Sequence, residues 1–263
     1  MTYQPRFTNI FRLLSTSIER YPNRRLFGTR KSHGWHYVTY SEFGAQVAAF
    51  RGGLASLGVS KGDRVAVISD NRLEWAIGSF GTLSHGAAYV PMYQAQKERE
   101  YKYILHDSGA KVCLVANGET AAKINGLKAE LPELKHVITF ATPEWEALLE
   151  AGRKSPVPPA QVDDNELAFL IYTSGTTGDP KGVELTHLNL GATASSIIEV
   201  APLTENNELT LAFLPWAHVF GGCVELGVIM GFGGALAICE STERILDYLA
   251  EVKPTALFAV PRI

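Results

Sequence analysis

Residues 171–183 read Ile-Tyr-Thr-Ser-Gly-Thr-Thr-Gly-Asp-Pro-Lys-Gly-Val, a stretch dense in groups able to grip an anion. Thr173, Ser174, Thr176 and Thr177 offer hydroxyls, Lys181 an ammonium, and Gly175, Gly178 and Gly182 a bare backbone. Glycine lets the main chain approach a ligand and adopt positive φ, so several N–H groups can converge on one anion. An ammonium about 4 Å from a phosphate oxygen gains roughly 4 kcal/mol at an effective dielectric of 20. Desolvation leaves a net contribution of about 1–3 kcal/mol. The pattern predicts a loop that holds polyphosphate, with one of its hydroxyls a candidate contact for Mg2+.

Spacing separates this loop from two common phosphate binders. A Walker A loop needs G-x-x-x-x-G-K-[ST] running into a helix; here Pro180 precedes Lys181 and Gly182 follows it. Nor does the stretch match G-x-G-x-x-G. The remaining alternative is a solvated Gly/Thr hairpin with a charged tip. A second candidate segment is Leu214-Pro215-Trp216-Ala217-His218-Val219-Phe220-Gly221-Gly222. A strand ending in Pro, then an aromatic and a His before a helix, can place the imidazole at the carboxyl edge of a sheet. Open α/β sheets bind ligands there. A structural histidine is the alternative. The adjacent carboxylates Asp163 and Asp164 read as a solvated turn, and no metal ligands are assigned.

Regular elements must position these groups. Leu167 to Tyr172 is a run of six apolar residues, the mark of a buried strand. Val183 to Leu185 reads as a second strand, with Thr186 capping a helix from His187 to Val200. Upstream, Thr8 to Tyr21 reads as helix, 25–29 and 35–39 as a hairpin, and Ser41 as the cap of a helix ended by Gly58. Strands at 64–69, 87–90 (closed by Pro91), 111–116 and 136–140 alternate with helices capped by Asp70 or Asn71, over 98–107 and over 119–131. Residues 152–162, with three prolines, read as an extended linker. Beyond, strands over 208–214, 235–239 and 255–260 alternate with helices over 219–230 and from Ser241 to Leu249. Alternation of this kind predicts an α/β fold with mostly parallel sheets packed against helices.

Composition sets outer limits. With 263 residues and 46% hydrophobic content, the chain can bury a substantial core. Its 24 basic and 27 acidic residues give a net charge of −3 without long runs, which argues against a nucleic-acid surface. Cys113, Cys223 and Cys239 are odd in number, widely spaced and set in apolar runs. They read as buried free thiols in a reducing, cytoplasmic setting. Val219 to Cys239 is long and nearly uncharged, yet Glu225 and six glycines (221, 222, 227, 231, 233 and 234) favour a buried helix, turn and strand over a membrane span. Peripheral membrane association and oligomerisation stay open.

Tyr172 to Gly182, followed by Val183-Glu184-Leu185-Thr186-His187, resembles the phosphate-loop signature of the AMP-forming adenylate-forming enzymes. That family includes acyl-CoA synthetases, aryl-CoA ligases, luciferases and peptide-synthetase adenylation domains. Gly86 to Met92 and Asp107 to Lys111 also fit it. Residues 214–222 resemble its Pro-aromatic-x-His segment lining a carboxylate pocket. The resemblance implies that Thr173, Ser174, Gly175, Thr176, Thr177, Gly178 and Lys181 bind ATP, with Lys181 and His218 catalytic. Trp216, His218, Gly221 and Gly222 would then line the acid slot, the glycines leaving room for an alkyl chain. Val260-Pro261-Arg262, with Trp216-Ala217-His218 and Pro91-Met92-Tyr93, tilts the resemblance toward long-chain fatty-acyl-CoA synthetases using ATP, Mg2+ and coenzyme A. It also implies two layered sheets within a large N-terminal domain, one lobe over about 60–203 and a second over 1–59 plus 204–263. The family's adenine, ribose, Mg2+-glutamate and small-domain lysine motifs are absent from this sequence. The expectation is therefore an N-terminal piece, inactive alone, with the small C-terminal domain absent. An aryl- or short-chain acid ligase, a fatty-acyl-AMP ligase and, outside enzymes, a non-catalytic nucleotide-binding remnant are the alternatives.

Overall fold

Apolar runs and helix caps along the chain become ten strands and nine α-helices among the described residues. The computed structural model describes residues 5–173, 179–205 and 208–260. In chain order the elements are α1 (Ile10–Arg20), β1 (Arg25–Lys31), β2 (Gly34–Thr39), α2 (Tyr40–Ser56), β3 (Arg64–Ile68), α3 (Leu73–Ser84) and β4 (Ala88–Met92). There follow α4 (Glu98–Ser108), β5 (Val112–Val115), α5 (Gly118–Leu127), β6 (His136–Thr139), α6 (Pro143–Lys154), β7 (Leu167–Thr173), β8 (Lys181–Thr186) and α7 (His187–Val200). The rest comprises β9 (Leu209–Ala212), a π-helical turn (Phe220–Glu225), α8 (Leu226–Gly231), β10 (Ala235–Ile238) and α9 (Ile245–Val252).

The chain divides into two units. Unit one comprises Met1–Ala45, Asn71–Leu73 and His187–Ile263. Its sheet has the order β2-β1-β10-β9, with only the β1–β2 hairpin antiparallel. Unit two comprises Gln46–Asp70 and Glu74–Thr186. Its sheet has the order β6-β5-β3-β4-β7-β8, parallel except for β7–β8. These are the two mostly parallel sheets with helices that the alternation predicts.

Several local expectations are corrected. The cap of α2 is Thr39 rather than Ser41: its hydroxyl accepts from the Glu42 N–H at 3.2 Å while the Glu42 carboxylate accepts from the Thr39 N–H at 2.7 Å. That reciprocal capping box satisfies two otherwise orphaned donors. Pro91 does not close β4 but lies within it, paired with Val67. The helix expected over 119–131 ends at Leu127 and tightens into a 3-10 turn over Lys128–Glu130. The second hairpin strand is longer than expected, beginning at Lys181. Residues 255–260 form no strand: Ala256 makes a single bridge to Thr210, and Leu257 and Val260 stay exposed. Phe258 packs half-buried against Phe220, but beyond the one bridge no ladder partner runs beside the segment among the described residues. The helix expected over 219–230 runs unbroken to Gly231, widened to π geometry over Phe220–Glu225, and is followed by the expected turn and strand. No helix among the described residues is long and apolar enough to cross a membrane.

The linker proves shorter than its composition suggested, because Gly152 belongs to α6. Thr142 caps that helix and Pro143 starts it. A Cβ on Gly152 would stand 1.8 Å from the Ala49 carbonyl oxygen, so α2 and α6 cross backbone to backbone. The proline run after it is tied down: Val157 O accepts from Arg51 Nε at 2.9 Å, and the Ala160 N–H donates to Ser84 O at 2.8 Å. We expect Gly152→Ala to cost about 1–3 kcal/mol or more through overpacking. Gly126→Ala in α5, where a Cβ meets nothing within 4 Å, should stabilise by about 0.5–1 kcal/mol. Urea unfolding of the two variants checks the contrast.

Glu225 closes the π-turn and is fully buried. Its Oε1 accepts from Thr210 Oγ1 at 3.1 Å, and its Oε2 meets no partner among the described residues. Burial pushes the carboxyl up to about 8, against a smaller opposing effect from the Thr210 hydrogen bond. Folded chains therefore hold this proton up to about pH 8, while unfolded ones release it above about pH 4.5. The contribution to stability is fully present below about pH 4.5 and is lost as pH rises through about 8, by roughly 1.4 kcal/mol per unit within the window. Glu225→Gln should remove that slope from the pH dependence of the unfolding free energy; an unchanged slope would assign it to other groups.

Candidate functional site

In unit two, β7 and β8 pair antiparallel, with Tyr172 opposite Gly182 and Thr173 opposite Lys181. Residues directly opposite in such a ladder project to one face, their Cβ atoms about 4.5–5.5 Å apart. Thr173 and Lys181 thus share one face at the end of the β7–β8 ladder, both exposed. Ser174, Gly175, Thr176, Thr177 and Gly178 lie outside the described residues. Tyr172 turns to the other face, into a core with Val90, Tyr101, Ile104 and Leu105. Its hydroxyl donates to Asp107 Oδ2 on α4 at 2.5 Å. Gly182 has no positive φ; a Cβ there would come within 3.0 Å of Leu170 and 3.3 Å of the Tyr172 ring. Its smallness, not its torsional freedom, is what that position needs.

In unit one, the segment after β9 forms a tight turn. The His218 N–H donates to Pro215 O at 3.0 Å, and the Gly222 N–H to His218 O at 2.9 Å. His218 is exposed, and its Nδ1 accepts from the Phe220 N–H at 3.2 Å. In the neutral ring the proton then sits on Nε2, leaving an outward donor suited to a carboxylate or phosphoryl oxygen. Trp216 is buried, its ring 5.9 Å from that of Phe27, and its backbone N–H donates to Asn71 Oδ1 at 2.8 Å. Gly221 is also buried: a Cβ would stand 2.7 Å from Pro215 O, so the space beside it is filled by backbone. Gly222 is buried as well.

Two features escaped the sequence. Asn71, expected as a helix cap, lies two residues before the start of α3 at Leu73 and instead donates through Nδ2 to Leu214 O at 2.8 Å, bracing the histidine turn. Nothing in local spacing links positions 71 and 214. Unit two also carries a polar cavity of about 370 Å³ lined by Gln94, Gln96, Lys97, Glu98, Tyr101, Asn117, Glu119, Thr120 and Lys123. It lies beyond the carboxyl ends of β4 and β5, beside the first turns of α4 and α5.

Comparison with known proteins places this fold and these segments among relatives. The chain is 36% identical over 245 residues to the long-chain-fatty-acid–CoA ligase FadD15 of Mycobacterium bovis, covering 87% of this chain and 40% of that protein. It is 27% identical to long chain acyl-CoA synthetase 8 of Arabidopsis thaliana, covering 95% and 41% respectively. The chain thus spans about two fifths of the length of the curated relatives it matches. The inhibitor-bound N-terminal domain of FACL13 from Mycobacterium tuberculosis superposes with a TM-score of 0.84 at 26% identity, over 96% of this chain and 63% of that one. A family model described as AMP-binding enzyme matches residues 14–263, and with nearly the whole sequence inside that match this chain belongs to the AMP-binding enzyme family.

Proposed function

We propose that this chain is part of an ATP-dependent, AMP-forming acyl-CoA synthetase whose acid is a long-chain fatty acid. The observation that carries the reading is the pairing of Thr173 with Lys181 across the mouth of the glycine- and threonine-rich loop. Lys181 and the loop hydroxyls and N–H groups bind the β- and γ-phosphates of ATP, orienting the α-phosphate for in-line attack by a fatty-acid carboxylate. The new bond joins the carboxylate oxygen to the α-phosphorus, and pyrophosphate leaves. The sulfur of coenzyme A then attacks the acyl carbonyl, and AMP leaves. Mg2+ held largely by the triphosphate would neutralise its charge, with one of the hydroxyls of Thr173, Ser174, Thr176 or Thr177 as its protein contact.

His218, through Nε2–H, holds the acid's carboxylate and later the acyl-adenylate. Trp216, Gly221 and Gly222 act from behind it: the buried indole and the close-packed glycines fix the turn and form the wall of the acid slot. The long-chain preference draws on the matched ligases from Mycobacterium bovis and Arabidopsis thaliana, which carry that substrate class in their names. A panel of short, aryl and long-chain acids with ATP and Mg2+, read by pyrophosphate release, tests the acid class.

Lys181→Ala should weaken ATP binding to this chain by about tenfold or more, corresponding to the net 1–3 kcal/mol of a desolvated ammonium–phosphate contact. In the ligase that carries the chain it should slow adenylation on the order of 10²–10³-fold. Calorimetric titration and single-turnover adenylation measure the two effects, and unchanged values would remove Lys181 from the mechanism.

A further inference from the structure

Tyr172 and Asp107 have no part in the chemistry above, yet they are bonded beside the loop across 65 positions of sequence. Tyr172 is the last buried residue of β7, and Thr173 beyond it is exposed. Asp107 lies in the last turn of α4, one residue before its end at Ser108. A carboxylate there meets the negative end of the helix dipole, so α4 itself gains nothing from an acid at 107. The acceptor serves the tyrosine. Tyr103, one turn earlier on the same helix face, sets its ring edge-on to Tyr172, centroids 6.4 Å apart at 87°. The Tyr103 phenol is pushed upward by desolvation first, then by Asp107 and by Asp179. Asp179 lies two residues before β8, so this face of α4 is within electrostatic reach of the segment leading into that strand.

We propose that the Asp107–Tyr172 hydrogen bond is a positioning device for the phosphate loop: it ties the last turn of α4 to the end of β7 and so sets where Thr173 and Lys181 stand. The inference rests on the phosphate-loop reading of residues 173–181. Ring burial and the β4 and β8 ladders hold Tyr172 in the sheet but tie it to no particular point on α4. A charge-assisted hydrogen bond adds the direction that burial lacks. Gly182 belongs to the same device, since a side chain there would crowd the phenol ring.

Tyr172→Phe keeps the ring and deletes the donor; Asp107→Ala deletes the acceptor; Asp107→Asn keeps an acceptor without the charge. Each variant of this chain is followed by calorimetric ATP affinity, thermal midpoint and backbone hydrogen exchange along the β7–β8 ladder. Tyr172→Phe and Asp107→Ala should each weaken ATP binding five- to tenfold and speed exchange in that ladder. Asp107→Asn should recover part of both, and the double variant should be no worse than either single one. Unchanged ladder exchange, losses that add in the double variant, or exchange accelerated throughout unit two with ATP affinity intact would each overturn the proposal. Should the unsubstituted chain bind neither ATP nor inorganic pyrophosphate, which needs no adenine or ribose contact, the phosphate-loop reading fails by itself, and ladder exchange still decides whether the bond positions Thr173 and Lys181.

Discussion

A parallel sheet cannot by itself bring a strand's last residue back beside the next strand's first, because parallel neighbours need a crossover of a dozen or more residues. Unit two breaks its own rule at one place. β7 and β8 run antiparallel, joined by residues 174–180 alone, so Lys181 returns directly to the end of β7. That end is the carboxyl edge shared by β3, β4, β5 and β6, the edge where open α/β sheets hold ligands. Were β8 parallel, the same lysine would begin its strand at the opposite edge. One reversal therefore sets Thr173 directly opposite Lys181 at that edge, and Tyr172, one residue earlier, is packed into the core behind β7.

Unit one solves a related problem with a side-chain amide. Where β9 has ended, Leu214 O and the Trp216 N–H are buried and have left the ladder. Buried backbone groups need partners, and Asn71 supplies both from one side chain. Each such bond contributes about 1 kcal/mol net, and leaving either group bare would cost more. With the turn held there, Trp216 locked on Phe27 and Gly221 pressed against Pro215 O, the exposed imidazole of His218 rides on a rigid base. Its Nδ1 contact with the Phe220 N–H then selects the tautomer.

What could be read in advance follows the range of the forces involved. The apolar run from Leu167 to Tyr172 announced a strand because burial on both faces is written in consecutive residues. The phosphate-loop expectation likewise rests on hydroxyls, a lysine and glycines at close spacing, while Ser174 to Gly178 lie outside the described residues. The helix α6 carried local signals, a Thr142 cap and Pro143 at its first position, but the prolines after it masked them. Residues 255–260 misled in the opposite direction, since β-prone residues make a strand only where a ladder partner runs beside them. The Asn71 brace and the Asp107 bond join residues that lie 143 to 145 and 65 positions apart, and nothing in spacing foretells them. Gly182 and Gly221 were assigned to backbone freedom and ligand room; packing shows that smallness and close approach explain them.

Lys181 also begins an edge strand, and edges need protection from stray pairing, for which lysine is a common device. Residues 181–184 of β8 are all exposed, and Val183 is 43% exposed, so the need is real. Edge protection, however, asks only for charge somewhere along the strand, and Glu184 already supplies it. It gives no reason for a hydroxyl opposite the lysine, or for a glycine at 182 where a bulkier residue would guard the edge better. Nor does it explain an acid set against the dipole of α4 to hold the preceding tyrosine. Those features all gather at the end of the β7–β8 ladder, and the proposed phosphate site gives them a common reason that edge protection does not.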